Sequence, residues 1–215
     1  MLVSVSALKI SKKYDDFIAL SPTSFDLNKG EISILSGPNG SGKTTLLSCM
    51  SGLIQPTSGA ITIAGFDLHH DEKEVHRRMV CVPDVPRFYL ELTAWEHLRF
   101  IAMANKVLQD FDQRAETLLR KLDLWEMKDL FPHHFSRGMR LKLGLAFALI
   151  RPFEVLLLDE PTSALDREGV NILIRELRQI REQGGTVLIS THDPDLSSLL
   201  GDRIFTIHHG ILEEK

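Results

Sequence analysis

Two periods of apolar residues divide this chain. Toward both ends, short β-branched or leucine-rich runs recur between turn residues, which is the pattern of strands. Through the middle, apolar residues return at helical spacing. Residues 2–35 carry β-branched segments broken at Asp15-Asp16 and Asn28-Lys29-Gly30, predicting antiparallel strands. Glu31 to Ser36 reads as a short buried strand, Thr44 to Met50 as a helix, and Gly59 to Gly65 as another strand. From about Thr93 to Leu149 the period changes, and Leu98, Ile101, Leu118, Leu119 and Leu122 fall on helical faces. After Pro152 strands and helices alternate: strand 154–159, helix 167–182, strand 186–190, a short helix from Pro194, then strands near 203–208 and 211–213. Gly184-Gly185 closes the long helix. The continuous run Val155-Leu156-Leu157-Leu158 fits a central parallel strand covered on both faces.

Composition narrows the class. At 215 residues, with 43% hydrophobic and 25% charged content, the chain suits one large globular domain with an insertion. Its net charge of -4 argues against a nucleic-acid partner. No apolar run approaches the roughly 20 residues that cross a bilayer. The start, Met1-Leu2-Val3-Ser4-Val5, lacks the basic stretch and apolar core of a signal peptide. Cys49 and Cys81 have no C-x-x-C spacing and are expected to be reduced, buried and inert, which suits the cytoplasm.

Candidate chemistry begins at Gly37-Pro38-Asn39-Gly40-Ser41-Gly42-Lys43-Thr44-Thr45. This run fits G-x-x-x-x-G-K-[ST] between a strand and a helix, the context in which backbone N–H groups cradle nucleotide phosphates. The glycines let the main chain approach the phosphates, and the helix start adds positive partial charge. Lys43 is expected to reach the β- and γ-phosphates and Thr44 to bind Mg²⁺. The fold expected is therefore α/β. It has a P-loop NTPase core with a mostly parallel central sheet, an antiparallel β subdomain and an inserted α-helical subdomain. One domain spans 1–215, with the core at about 1–92 and 151–215 and the helices at 93–150.

Asp159 and Glu160 end the apolar strand that starts at Val155. Ligands of open α/β sheets bind at the carboxyl ends of strands. Asp159 is thus expected in the Mg²⁺ shell and Glu160 as the group that orients and deprotonates the attacking water.

With these motifs the chain resembles the nucleotide-binding subunits of ABC transporters over essentially its whole length. Asp159-Glu160-Pro161-Thr162 and Ser163-Ala164-Leu165-Asp166 look like that family's Walker B strand and D-loop. Ser190-Thr191-His192-Asp193 looks like its switch histidine. Phe135-Ser136-Arg137-Gly138-Met139 resembles its signature, usually Leu-Ser-Gly-Gly-Gln. The resemblance implies ATP and Mg²⁺ bound between two cassettes arranged head to tail, as a homodimer or with a paralogue. It further implies that Ser136 and Gly138 donate to the partner copy's γ-phosphate, that His192 holds the water in line, and that Asp166 couples the two sites. Tyr14 lies where the family stacks an aromatic on adenine; ordinary packing is the alternative.

Three positions depart from the common pattern. Arg137 replaces the signature's first glycine, Met139 its glutamine, and Asp84 the Q-loop glutamine after Val80-Cys81-Val82-Pro83. Asp84 either meets Mg²⁺ or its water, or caps the turn that follows. The Ser-x-Gly-Met style resembles an exporter-rich branch, and no C-terminal regulatory extension is expected. Asp84 to Trp95 is unusually aromatic, and the resemblance implies that Phe88 and Tyr89 line a groove for integral membrane subunits. Location is then cytoplasmic, peripheral on the inner face of the membrane. The rival from another class is a soluble ABC-type ATPase with a non-transport role. His69-His70, His133-His134 and His208-His209 lack a metal-ligand pattern and are expected at the surface.

Overall fold

β1 (Val3–Tyr14) and β2 (Phe17–Asn28) form a long antiparallel hairpin closed by Asp15-Asp16. These strands and all that follow come from a computed structural model, which describes residues 2–215. Val5, Ala7 and Ile10 all face the core although the last step is odd. The register shift between Ala7 and Ile10, where Lys9 takes φ 48°, absorbs the extra residue as a bulge does. β3 (Ile32–Ser36) leads into α1 (Lys43–Met50). β4 (Ser58–Ile63) and β5 (Phe66–Asp67) complete a four-stranded sheet in the order β2-β1-β4-β5.

α2 (Glu72–Arg78) has no counterpart in the sequence reading. Val75 is its only buried residue, so no apolar period marks it. Its signal is electrostatic: Glu72 and Glu74 in the first turn, His76, Arg77 and Arg78 in the last, which complements the helix dipole. β6 (Met79–Val82), α3 (Ala94–Ala104), α4 (Phe111–Lys121) and α5 (Arg137–Leu149) follow. β7 (Val155–Asp159), α6 (Arg167–Glu182), β8 (Thr186–Thr191), α7 (Pro194–Leu200), β9 (Arg203–His208) and β10 (Ile211–Glu214) end the chain.

The larger sheet runs β10-β9-β3-β8-β7-β6. β3, β7, β8 and β9 are parallel, and β10 is an antiparallel edge. All five residues of β7 and all six of β8 are buried, as expected of central strands covered on both faces. The fold class read from the sequence is the one observed. Ser36 pairs with Thr191 and Asp159 with Ser190, so the carboxyl ends of β3, β7 and β8 lie level. That register delivers the glycine loop and both acids to one edge.

Backbone contacts divide the chain into two units. The first comprises 1–81, 153–160 and 176–215. Its core gathers Val5, Ile10 and Leu27 of the hairpin, Leu46, Leu47 and Met50 of α1, and Leu157, Leu188 and Phe205 of the larger sheet. The second comprises 82–152 and 161–175, a wider segment than the 93–150 expected for the helical subdomain. Side chains outside 93–150 account for the difference: Phe88 packs against this core and Ile172 of α6 belongs to it. Leu98, Ala115, Leu119, Leu143 and Ala146 form its centre.

Capping fixes where the helices of the second unit begin. Thr93 accepts from the Glu96 N–H at 3.2 Å while Glu96 accepts from the Thr93 N–H at 2.8 Å, a reciprocal cap that contributes about 1 kcal/mol. Ser136 caps α5 by accepting from the Met139 N–H at 3.2 Å. Among the described residues, no helix is long and apolar enough to cross a membrane.

Candidate active site

The glycine loop turns between β3 and α1. Gly42, just ahead of α1, has φ 114°, and a Cβ there would stand 2.8 Å from the Ala19 carbonyl oxygen. Only glycine meets both conditions. The turn places Lys43 at the head of α1, almost fully buried. Its Nζ donates to the carbonyls of Gly37 at 2.8 Å and Pro38 at 3.2 Å. Ser41 Oγ is buried and has no hydrogen-bond partner among the described residues. Pro38, Asn39 and Gly40 are exposed, as is Thr44, while Thr45 is half-buried.

Both acids lie beside this loop, in the same unit. Asp159 Oδ2 accepts from Thr44 Oγ1 at 2.8 Å, and its Oδ1 accepts from Ser190 Oγ. Glu160 takes φ 46°, a left-handed conformation that costs about 1–3 kcal/mol for a residue with a side chain. Two acceptors hold it there: its N–H donates to the Ser190 carbonyl and to Ser190 Oγ, both at 3.1 Å. Strain of this kind gathers at functional positions. It turns the carboxylate so that Oε1 lies 3.2 Å from Lys43 Nζ and Oε2 2.9 Å from His192 Nδ1. The Lys43 contact is an ion pair without hydrogen-bond alignment, so Oε1 keeps an unused acceptor site.

Tyr14, at the end of β1, is half exposed and, among the described residues, stacks against no other ring; Lys12 Nζ stands 4.9 Å from its centroid.

Asp84, Ser136, Gly138 and Asp166 belong to the second unit. A Cβ on Gly138 would lie 2.6 Å from the Ala164 carbonyl oxygen, so the signature turn and the D-loop are in backbone contact. Asp166 Oδ1 accepts from the Gly169 N–H at 2.8 Å, capping the start of α6. Asp84 is taken up by Arg137 and Ser163.

Three residues with structural work here carry no role in the sequence reading. Ser190 supports both Asp159 and Glu160; its signal is the parallel register of β7 against β8. Arg137 pairs with Asp84 across 53 positions, beyond the reach of local patterns. His97 is buried, accepts from the Tyr89 N–H at its Nε2 (2.9 Å), and has Nδ1 2.8 Å from the Thr93 carbonyl. Burial pushes its pKa below the usual histidine value. Phe88 packs edge-on to His97 and Phe147, so it serves the core, while Tyr89 and Leu90 stay exposed. The paired histidines are at the surface, and among the described residues no cluster of three metal-binding side chains occurs.

Residues 20–163 match the ABC transporter family. The chain is 34% identical over 214 residues to a putative ABC transporter ATP-binding protein of Methanothermobacter marburgensis, covering 96% of this chain and 76% of that one. It is 36% identical to the mouse phospholipid-transporting ATPase ABCA3, covering 92% of this chain but only 12% of that protein. Among solved structures, the ATP-binding subunit of an ABC transporter superposes with TM-score 0.91 at 30% identity, over 98% of this chain and 89% of that chain. A dimeric cassette in a post-hydrolysis state, bound to ADP and Pi, superposes with TM-score 0.88 at 25% identity, over 98% of each. Taken with the strand-end acids beside the glycine loop, these likenesses decide the matter: the chain belongs to the ABC transporter family and is an ATP-binding, ATP-hydrolysing cassette.

Proposed function

We propose that this cassette powers a membrane transporter by closing head to tail on ATP with a second cassette and opening after hydrolysis. The observation that carries the reading is the line Lys43–Glu160–His192 beside the Thr44–Asp159 pair. In this reading Glu160 orients the attacking water and takes its proton, and His192 holds Glu160 and the water in line. Lys43 and the N–H groups of Gly40 to Thr45 receive the phosphates, with Ser41 Oγ as a further buried donor in need of a partner. Tyr14 offers its exposed face to the base.

The donor set also fits Mg²⁺. Thr44 Oγ1 and Asp159 Oδ2 are hard oxygens 2.8 Å apart, and two protein oxygens suffice for an ion that keeps its waters and binds phosphate. When bound, the ion neutralises charge on the β- and γ-phosphates. Thr44 and Asp159 would hold it.

From the other unit, Ser136 and Gly138 at the start of α5 offer donors to the partner copy's γ-phosphate. Asp166, by fixing α6, holds the D-loop that runs along the interface. Such an interface is self-complementary under two-fold symmetry. The dimeric cassette with ADP and Pi supports the arrangement.

Membrane subunits are proposed to dock on Asp84 to Trp95, where Tyr89 and Leu90 expose apolar surface on a loop anchored by His97. Export is the direction favoured, on the Ser-x-Gly-Met signature, with the protein peripheral on the cytoplasmic face. The test is co-purification in detergent: recovery with a membrane protein, weakened by Tyr89→Ala without loss of ATP binding, is expected. Recovery only with soluble partners would favour the non-transport ATPase instead.

A further inference from the structure

We infer that Asp84 and Arg137 form one positioning pair that fixes the start of α5 against the D-loop, and that Asp84 is not a metal ligand. The two positions where the chain departs most from the family pattern meet each other. Arg137 Nη2 donates to Asp84 Oδ1 at 2.9 Å and to Oδ2 at 3.1 Å. Ser163 Oγ donates to the same Oδ1 at 2.6 Å and accepts from Arg137 Nη2 at 3.2 Å. Three segments far apart in sequence thus close a triangle, all within the helical unit.

Adjacent backbone contacts give the triangle its purpose. One residue beyond Arg137, Gly138 leaves no room for a Cβ against the Ala164 carbonyl, which itself follows Ser163. Further along α5, Gly144 meets Pro86, two residues after Asp84. The first turn of α5 is therefore pinned from the D-loop and from the Asp84 loop together. Arg137 is 56% exposed and Asp84 35%, so the pair contributes little to stability as an isolated surface bridge. Its value lies in location, between Ser136 and Gly138 on one side and Ser163 on the other. Both carboxylate oxygens are engaged and the charge is met by a guanidinium, so a cation would have to compete with Arg137 and Ser163 for Asp84. The family's usual Gly and Gln are uncharged at these positions. Here an acid and a base occupy them and pair with each other.

This inference rests on the proposed role of Ser136 and Gly138 as phosphate donors. The experiment is a double-mutant cycle on the full chain, Asp84→Ala, Arg137→Ala and both, with turnover and thermal melting read for each. Each single change is expected to lower kcat about three- to tenfold with a smaller change in KM, and the double variant to be no worse than the worse single. Exchanging the charges, Asp84→Arg with Arg137→Asp, should recover part of the loss. The Mg²⁺ concentration giving half-maximal turnover should be unchanged in Asp84→Asn. Losses that multiply in the double variant, or a raised Mg²⁺ requirement in Asp84→Asn, would overturn the inference. Ser136→Ala separates the two claims: full turnover there defeats the phosphate-donor role alone. The pair is then judged by the melting cycle, where coupled losses support it and additive losses reject it.

Discussion

Glu160 and His192 are hydrogen-bonded, Oε2 to Nδ1 at 2.9 Å, while the other carboxylate oxygen faces Lys43 at 3.2 Å. A carboxylate only accepts, so Nδ1 carries the proton and Nε2 is left for a ligand or water. One side chain thus links Lys43 to His192. Removing its basicity while keeping its shape should therefore separate binding from turnover. Glu160→Gln is expected to bind ATP as the parent does and to lose about 10²- to 10⁴-fold in kcat, measured by single-turnover hydrolysis. Near-parental turnover would reject Glu160 as the base.

Gly138 offers a steric test of the signature turn. Its missing Cβ would stand 2.6 Å from the Ala164 carbonyl oxygen, a distance real Cβ atoms do not tolerate. Gly138→Ala must shift either α5 or the D-loop, at a cost of about 1–3 kcal/mol. A lowered melting temperature is expected, with turnover reduced further than melting alone explains. Unchanged melting would show that the turn has more room than its geometry allows.

His97 gives the fold a pH dependence of known sign. Burial holds its pKa below the ordinary 6.5, so the unfolded chain takes up a proton there before the folded chain does. Its contribution is complete above that value and is lost as pH falls below it. Urea midpoints between about pH 7.5 and 5.5 should drop more in the parent than in His97→Gln, which can keep both hydrogen bonds. Equal drops would remove His97 from the account.

Both thiols should be slow to react. Burial pushes Cys49 and Cys81 up to about 11, so thiolate is scarce at neutral pH. Alkylation of native protein near pH 7.5 is expected to label neither within minutes, and both after unfolding. Rapid native labelling of Cys81 would contradict this.

What the sequence made legible was whatever is local. The strand, glycine loop and helix at 31–50, the acid-ended run at 155–160, and the helical period of the middle each sit within a few turns of chain. The first unit's long strands were placed for the same reason, their turns being marked by Asp15-Asp16 and Asn28-Lys29-Gly30. Tertiary pairing was not legible. Asp84 and Arg137 look like two separate departures until folding joins them. Phe88 and Tyr89 look alike, yet only Phe88 is drawn inward, its ring edge-on to His97 and Phe147, while Tyr89 gives His97 its backbone N–H and stays exposed. The helical unit begins at Val82 because of that packing, which no period announces.

Mass measurement in solution, by light scattering on purified Glu160→Gln, bears most directly on the central claim. With magnesium and ATP the account predicts twice the mass of one chain, reverting to a single chain with ADP. A single chain that has demonstrably bound ATP, yet stays single at every concentration reached, would contradict it.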